Sequence, residues 1–151
     1  MKNTSRAYDK FYTILNRNDK EVDDLYRSYC LKRGISNVAL WVYYAVYTAD
    51  EPMTQADLCE CWFLSRQTIN SSLKALEKSG EIVLKPMPNN LKSKFVAFTE
   101  LGMERAREIM DPLLEAENKM LAEFSENELT TLLALQNKRR DLLRKYLEEV
   151  E

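Results

Sequence analysis

The stretch LSRQTINSSLKALEKSGEI, Leu64 to Ile82, with KPMPNNLKSKFVAFTELG close behind it as Lys85 to Gly102, decides the fold. Ser65 stands where a helix N-cap is needed, with a hydroxyl that can accept from a backbone N–H in the first turn. Ile69, Leu73 and Leu76 recur at helical spacing on one face, and Gln67, Asn70, Ser71, Lys74 and Lys78 point the other way. Gly80 follows the last turn and Lys74 and Lys78 lie near that end, both marks of a helix C-terminus. Ile82 to Lys85 and Lys94 to Phe98 are then expected as short strands, joined by a loop holding Pro86, Pro88 and the turn-forming pair Asn89 and Asn90. A capped helix, a glycine stop and a basic hairpin form the layout of a winged helix-turn-helix.

Upstream, Pro52 and Thr54 open a shorter helix, with Thr54 and Asp57 in capping-box spacing and Leu58, Cys59 and Trp62 facing inward. Phe63 and Leu64 make the turn between the two helices. Before them, Asn37 is the cap candidate of a helix running to about Ala49 that is apolar all round, and such helices are buried on several sides. Tyr8, Phe11, Tyr12 and Leu15, then Val22, Leu25, Tyr26 and Tyr29, mark a long first helix ending near Lys32-Arg33-Gly34.

Downstream, Thr99 caps a long helix whose stripe includes Ala106, Ile109, Met110, Leu113 and Leu114, and Pro112 should kink it for want of an N–H. Ser125 and Glu128 form a second capping box ahead of Leu129, Leu132, Leu133, Leu142, Leu143, Tyr146 and Leu147. The expected fold class is mainly α with a small β-hairpin wing (α+β). Its organisation is an N-terminal dimerisation helix over 1–36, a winged helix-turn-helix over 37–99 and C-terminal dimerisation helices over 100–151. Two long amphipathic ends of this kind bury their stripes against another subunit.

Bulk composition narrows the functional classes. With 45% hydrophobic and 30% charged residues the chain is ordinary for a globular protein. The longest apolar run, Val38 to Tyr47, falls far short of the roughly 18 residues of a membrane span, and the first residues carry no apolar signal core. A cytoplasmic location without membrane contact is the expectation.

There is no histidine, which removes the commonest general base, metal ligand and neutral-pH switch. Three glycines and no phosphate-cradling loop leave no basis for an enzyme. Cys30, Cys59 and Cys61 are odd in number and lack a CxxC spacing, so neither zinc, nor another cofactor, nor a local disulfide is expected. Net charge is only −2, yet residues 62–99 hold 6 basic and 2 acidic side chains while 100–151 hold 8 and 13. The positive excess therefore sits on the helix and hairpin that open this section.

Gln67 and Asn70 suit adenine, and Lys74 suits guanine or phosphate. Arg66 and Thr68 flank that face near the helix N-terminus, where recognition helices meet bases and where backbone N–H groups attract phosphate. Lys85, Lys92 and Lys94 on the hairpin can reach phosphates or an adjacent minor groove. A single amphipathic helix with a polar face is more often merely solvated. Here the short helix, turn, capped helix, stop and basic hairpin occur in order, which favours double-stranded DNA as the partner.

The sequence resembles the MarR family of winged-helix transcriptional regulators over nearly its whole length. TQADLCECWFLSRQTINSSLKALEKSGEI is similar to the family's helix-turn-helix, and KSKFVAFTELG to its second wing strand entering the next helix. The resemblance implies a homodimeric repressor reading a pseudo-palindromic operator. It carries DNA contact to Ser65, Arg66, Gln67, Thr68, Asn70, Ser71 and Lys74, with Asn90, Lys92 and Lys94 in the wing. The family's frequent Asp-x-Arg wing pattern falls on Asn90-Leu91-Lys92, where an amide and an ammonium replace the carboxylate and the forked guanidinium.

Many members respond to small aromatic or phenolic effectors, which makes Tyr12, Tyr26, Trp41, Tyr43, Tyr44 and Tyr47 a candidate pocket, although buried tyrosines more commonly serve packing. Some relatives sense oxidants through a cysteine. Cys30, with Lys32 and Arg33 nearby to favour a thiolate, is the redox candidate, while Cys59 suits a small buried position. The competing class is a winged helix used for protein contact without operator specificity, which calls for an apolar or acidic face on the second helix.

Overall fold

The computed structural model describes residues 2–88 and 90–150, with the side chains of residues 2–7, 91 and 92 outside the description. In chain order the elements are α1 (Lys2–Arg33), α2 (Asn37–Thr48), α3 (Gln55–Trp62), α4 (Arg66–Lys78), β1 (Ile82–Met87), β2 (Asn90–Phe98), α5 (Glu100–Ala122) and α6 (Glu126–Glu148). The fold is mainly helical with one antiparallel hairpin, as the patterning requires. The chain divides into two compact units, 1–110 and 111–151, and α5 runs through the boundary.

In the first unit, the buried core is built from α2 (Leu40, Val42, Tyr43), α3 (Leu58), α4 (Ile69, Leu73, Leu76), the wing (Ile82, Val96) and α5 (Ala106, Ile109, Met110). These are the apolar faces the periodicity selects, and burying each large side chain contributes about 1.5–3 kcal/mol. α2 places Leu40 and Tyr43 in the core and leaves Trp41, Tyr44 and Tyr47 half-buried, so an all-apolar helix is covered on several sides. Tyr43 stacks on Phe98 at 5.5 Å and donates to the Glu81 carboxylate, which ties α2 to the junction between α4 and β1.

Two local expectations are corrected. Ser36, not Asn37, caps α2, because its hydroxyl accepts from Ala39 N at 3.1 Å while Asn37 is already the first helical residue. The hairpin strands run further than the propensities suggest, to Met87 on β1 and from Asn90 on β2. Pro86 is tolerated inside β1 because it sits at a register irregularity in a two-stranded sheet, where a missing N–H leaves no inner ladder broken. Pro112 lies inside α5, which continues past it to Ala122, in keeping with a residue expected to bend the helix rather than stop it.

Both predicted capping boxes form, Thr54 with Asp57 and Ser125 with Glu128. The Ser125 N–H, and then its hydroxyl, bonded to the Glu128 carboxylate hold that group below the ordinary carboxylate range. In the second unit the α6 side chains Leu132, Leu133, Leu142, Leu143, Tyr146 and Leu147 are all exposed, and so are Tyr8, Phe11, Val22 and Leu25 on α1 of the first. No helix among the described residues is long and apolar enough to cross a membrane.

Candidate nucleic-acid interface

α4 begins at Ser65, whose hydroxyl accepts from Thr68 N at 3.1 Å. The turn before it is tight because Phe63 takes a left-handed conformation, φ 52°, and Leu64 N donates to Cys59 O at 3.1 Å. That conformation is costly for a residue with a Cβ, and the Phe63 ring is 89% exposed, so core burial does not compensate. The helix ends where Gly80, φ 77°, lets Glu81 N return to Leu76 O at 2.9 Å, the Schellman arrangement that the glycine foretold.

Between these ends the apolar face is fully sunk, and Ser65, Arg66, Gln67, Ser71 and Lys74 are exposed on the remainder, with Asn70 half-buried at its margin. Thr68 is placed differently. It is half-buried and its hydroxyl lies 2.7 Å from that of Ser65, so it belongs to the cap as much as to the open face. No carboxylate appears on α4 before Glu77.

In the wing, Lys85 and Lys94 are exposed on adjacent strands. Asn90 is exposed at the first position of β2, paired in register with Met87. The Lys92 side chain lies outside the described residues. The wing is anchored at its base, where Val96 N donates to Met53 O at 2.9 Å and Thr54 bridges to Phe95. This anchoring holds β2 against the residues that lead into α3.

The six aromatic candidates do not gather at one point. Tyr26 and Trp41 approach to 5.1 Å and Trp41 and Tyr44 to 5.9 Å, whereas Tyr43 lies on the core side of α2 and Tyr12 is exposed. The cluster gains a member that the sequence reading assigned only to packing. Trp62 packs at 4.6 Å from Trp41 with the ring planes tilted by 35°, and meets Tyr44 edge-on at 5.7 Å. Its indole N–H is buried without an acceptor among the described residues. The signal was the inward spacing of Trp62 on α3, but nothing in the sequence tells which aromatic ring it faces.

Cys30 overturns the redox expectation. It is buried at 2% exposure, its thiol points to the Asn37 side-chain oxygen at 3.7 Å, and burial raises its pKa above the ordinary thiol value. The cations that were to stabilise a thiolate are elsewhere, Lys32 exposed and the Arg33 guanidinium over the Tyr29 ring at 3.6 Å. In native protein Cys61, the exposed cysteine, should react first with a soluble disulfide reagent and Cys30 only on unfolding. Time-resolved labelling with peptide mass analysis checks this, and fast native labelling of Cys30 would refute it. Among the described residues no cluster of three metal-ligating side chains exists.

Residues 33–90 match the family model described as MarR family. This segment is similar to the MarR-family winged helix. The MarR match covers α2, α3, α4 and β1 and stops at the start of β2. Solved structures carry the fold likeness across the remaining helices. A MarR family regulator from Neisseria meningitidis is similar at TM-score 0.79 and 20% identity, covering 92% of this chain and 97% of that one. The transcription regulator MarR from Oenococcus oeni PSU-1 is similar at 0.72 and 12%, over 87% and 98%. The S. aureus MepR-DNA complex is similar at 0.72 and 18%, over 86% and 94%. No curated protein matches the chain in sequence.

Proposed function

We propose that the chain is a sequence-specific DNA-binding transcriptional repressor. It acts as a homodimer on a pseudo-palindromic operator and is released by a small aromatic or phenolic ligand. The observation that carries this reading is the division of α4. Ile69, Leu73 and Leu76 are sunk in the core, and the opposite face offers Arg66, Gln67, Asn70, Ser71 and Lys74 with no carboxylate among them. Base edges in the major groove present donors and acceptors that such side chains pair with, and phosphates flank them. A protein-docking helix would show an apolar or acidic face instead. The similarity to MepR, whose structure holds DNA, agrees with this use of the fold.

Dimerisation is supported by the apolar side chains that α1 and α6 leave exposed, among them Leu25 at 70% and Leu133 at 63%. Stripes of that length on isolated helices need a partner surface. In this reading 1–36 and 100–151 hold two copies together, 37–99 reads the operator, and the protein works in the cytoplasm, where its DNA is. The Tyr26, Trp41, Tyr44 and Trp62 cluster supports an effector site, since an aromatic ligand bearing an oxygen would give the Trp62 N–H its missing acceptor.

Fluorescence anisotropy on DNA from the protein's own promoter at two salt concentrations tests the reading, with light scattering for the dimer. Binding should be micromolar or tighter at low salt and fall steeply as salt rises, because each neutralised phosphate releases counterions. A random-operator selection should enrich a palindrome with half-sites about 10 bp apart. Salt-insensitive binding, or no enriched sequence, overturns it.

A further inference from the structure

A cavity of about 330 Å³ opens where the first turn of α3, the first residue of α4 and β2 meet, and its walls include Thr54, Gln55, Arg66, Ser93 and Lys94. Two cations from different elements line it, and no carboxylate does. The acid in the first turn of α3, Asp57, accepts from the Thr54 N–H and hydroxyl, both at 2.7 Å, and does not line the cavity. Among the described residues neither Arg66 nor Lys94 has an ion-pair partner. Gln55 crosses the corner and donates its side-chain N–H to the Arg66 carbonyl at 3.3 Å, fixing the start of α3 to the start of α4.

We propose that this corner seats one phosphodiester of the DNA backbone, held by Lys94 and Arg66, and that Gln55 is the positioning residue that sets that phosphate against the reading helix. The inference rests on the DNA-binding reading and deepens it. Arg66 lies at the first turn of α4, so a phosphate held there fixes how far Gln67 and Asn70 enter the groove. Such a contact carries no sequence information itself but sets the register in which sequence is read.

The test uses the full-length protein and the duplex recovered from the random-operator selection, with single neutral methylphosphonates scanned along each strand. At one position per half-site, the neutral linkage should weaken wild-type binding roughly 3- to 10-fold, and Lys94→Gln should lose about the same. Lys94→Gln on the modified duplex should show no further loss, and its salt slope should fall by about 0.9 per half-site. Gln55→Glu should also weaken binding while leaving the melting temperature unchanged or higher, since an acid in the first turn of a helix is favourable to folding. Losses that add at every scanned position, or a Gln55→Glu variant that binds like wild type, would overturn the phosphate seat with DNA binding intact. Failure of wild type to bind the unmodified duplex would instead overturn the DNA reading, and this inference with it.

Discussion

Gly102→Ala is expected to destabilise the first unit severely, although alanine is the better helix former. A Cβ on Gly102 would meet the Glu81 carbonyl, within 2.6 Å of its carbon. Neither backbone can give way. Thr99 donates its hydroxyl to Gly80 O at 2.6 Å and its N–H to Glu81 O at 3.1 Å, while accepting from Gly102 N at 3.0 Å. The Glu81 carboxylate accepts from Tyr43 and from Ser79 as well. Helix propensity favours alanine by roughly 1 kcal/mol. A backbone overlap in a packed junction costs on the order of 3 kcal/mol or more, so sterics win. Thermal unfolding by circular dichroism should show a melting temperature lowered by ten degrees or more, and an unchanged or raised value would show that α5 does not lie this close to the junction.

The second large effect concerns binding rather than folding. The double variant Gln67→Ala/Asn70→Ala should lose roughly hundredfold or more in operator affinity, since a good base-edge pair is worth about 1–3 kcal/mol of discrimination. Its affinity for unrelated DNA should barely change. Neither residue belongs to the buried face of α4, so melting temperature and dimer size should stay as in wild type. Lys74→Ala on the same face should weaken binding and leave the dimer intact. Anisotropy on the selected operator and on a scrambled duplex separates these outcomes, and equal losses on both would mean that Gln67 and Asn70 contribute only to backbone contact.

The parts of the fold that were legible in the sequence are those set by interactions within a few residues. Ser65, Thr54 and Ser125 cap helices because a short hydroxyl side chain can reach an N–H two or three residues on, whatever lies elsewhere. Gly80 ends α4 because a left-handed residue is needed there and glycine takes it without strain. The buried triad of α4 and its open face follow from a period of 3.6 residues. Even locally the reach is finite: Ser36 and Asn37 are both good caps by type, and the structure places the start at Ser36.

What only the tertiary structure decided involves residues far apart in the chain. Cys30 has cations two and three residues away, but packing buries its thiol and sends the Arg33 guanidinium to Tyr29, so proximity in sequence gives no thiolate. The aromatic residues of α2 divide between the core and a cluster completed by Trp62, a division no helical wheel contains because it depends on where α3 crosses. Likewise Gln55, Arg66 and Lys94 are spread over forty positions and meet only because the wing base is bonded to the start of α3. The sequence by itself determined which helices form, where they stop and which face of α4 is left open, since these depend on short-range geometry. The corner at α3, the aromatic cluster and the fate of Cys30 depend on side chains meeting across elements, and only the packed structure selects those meetings.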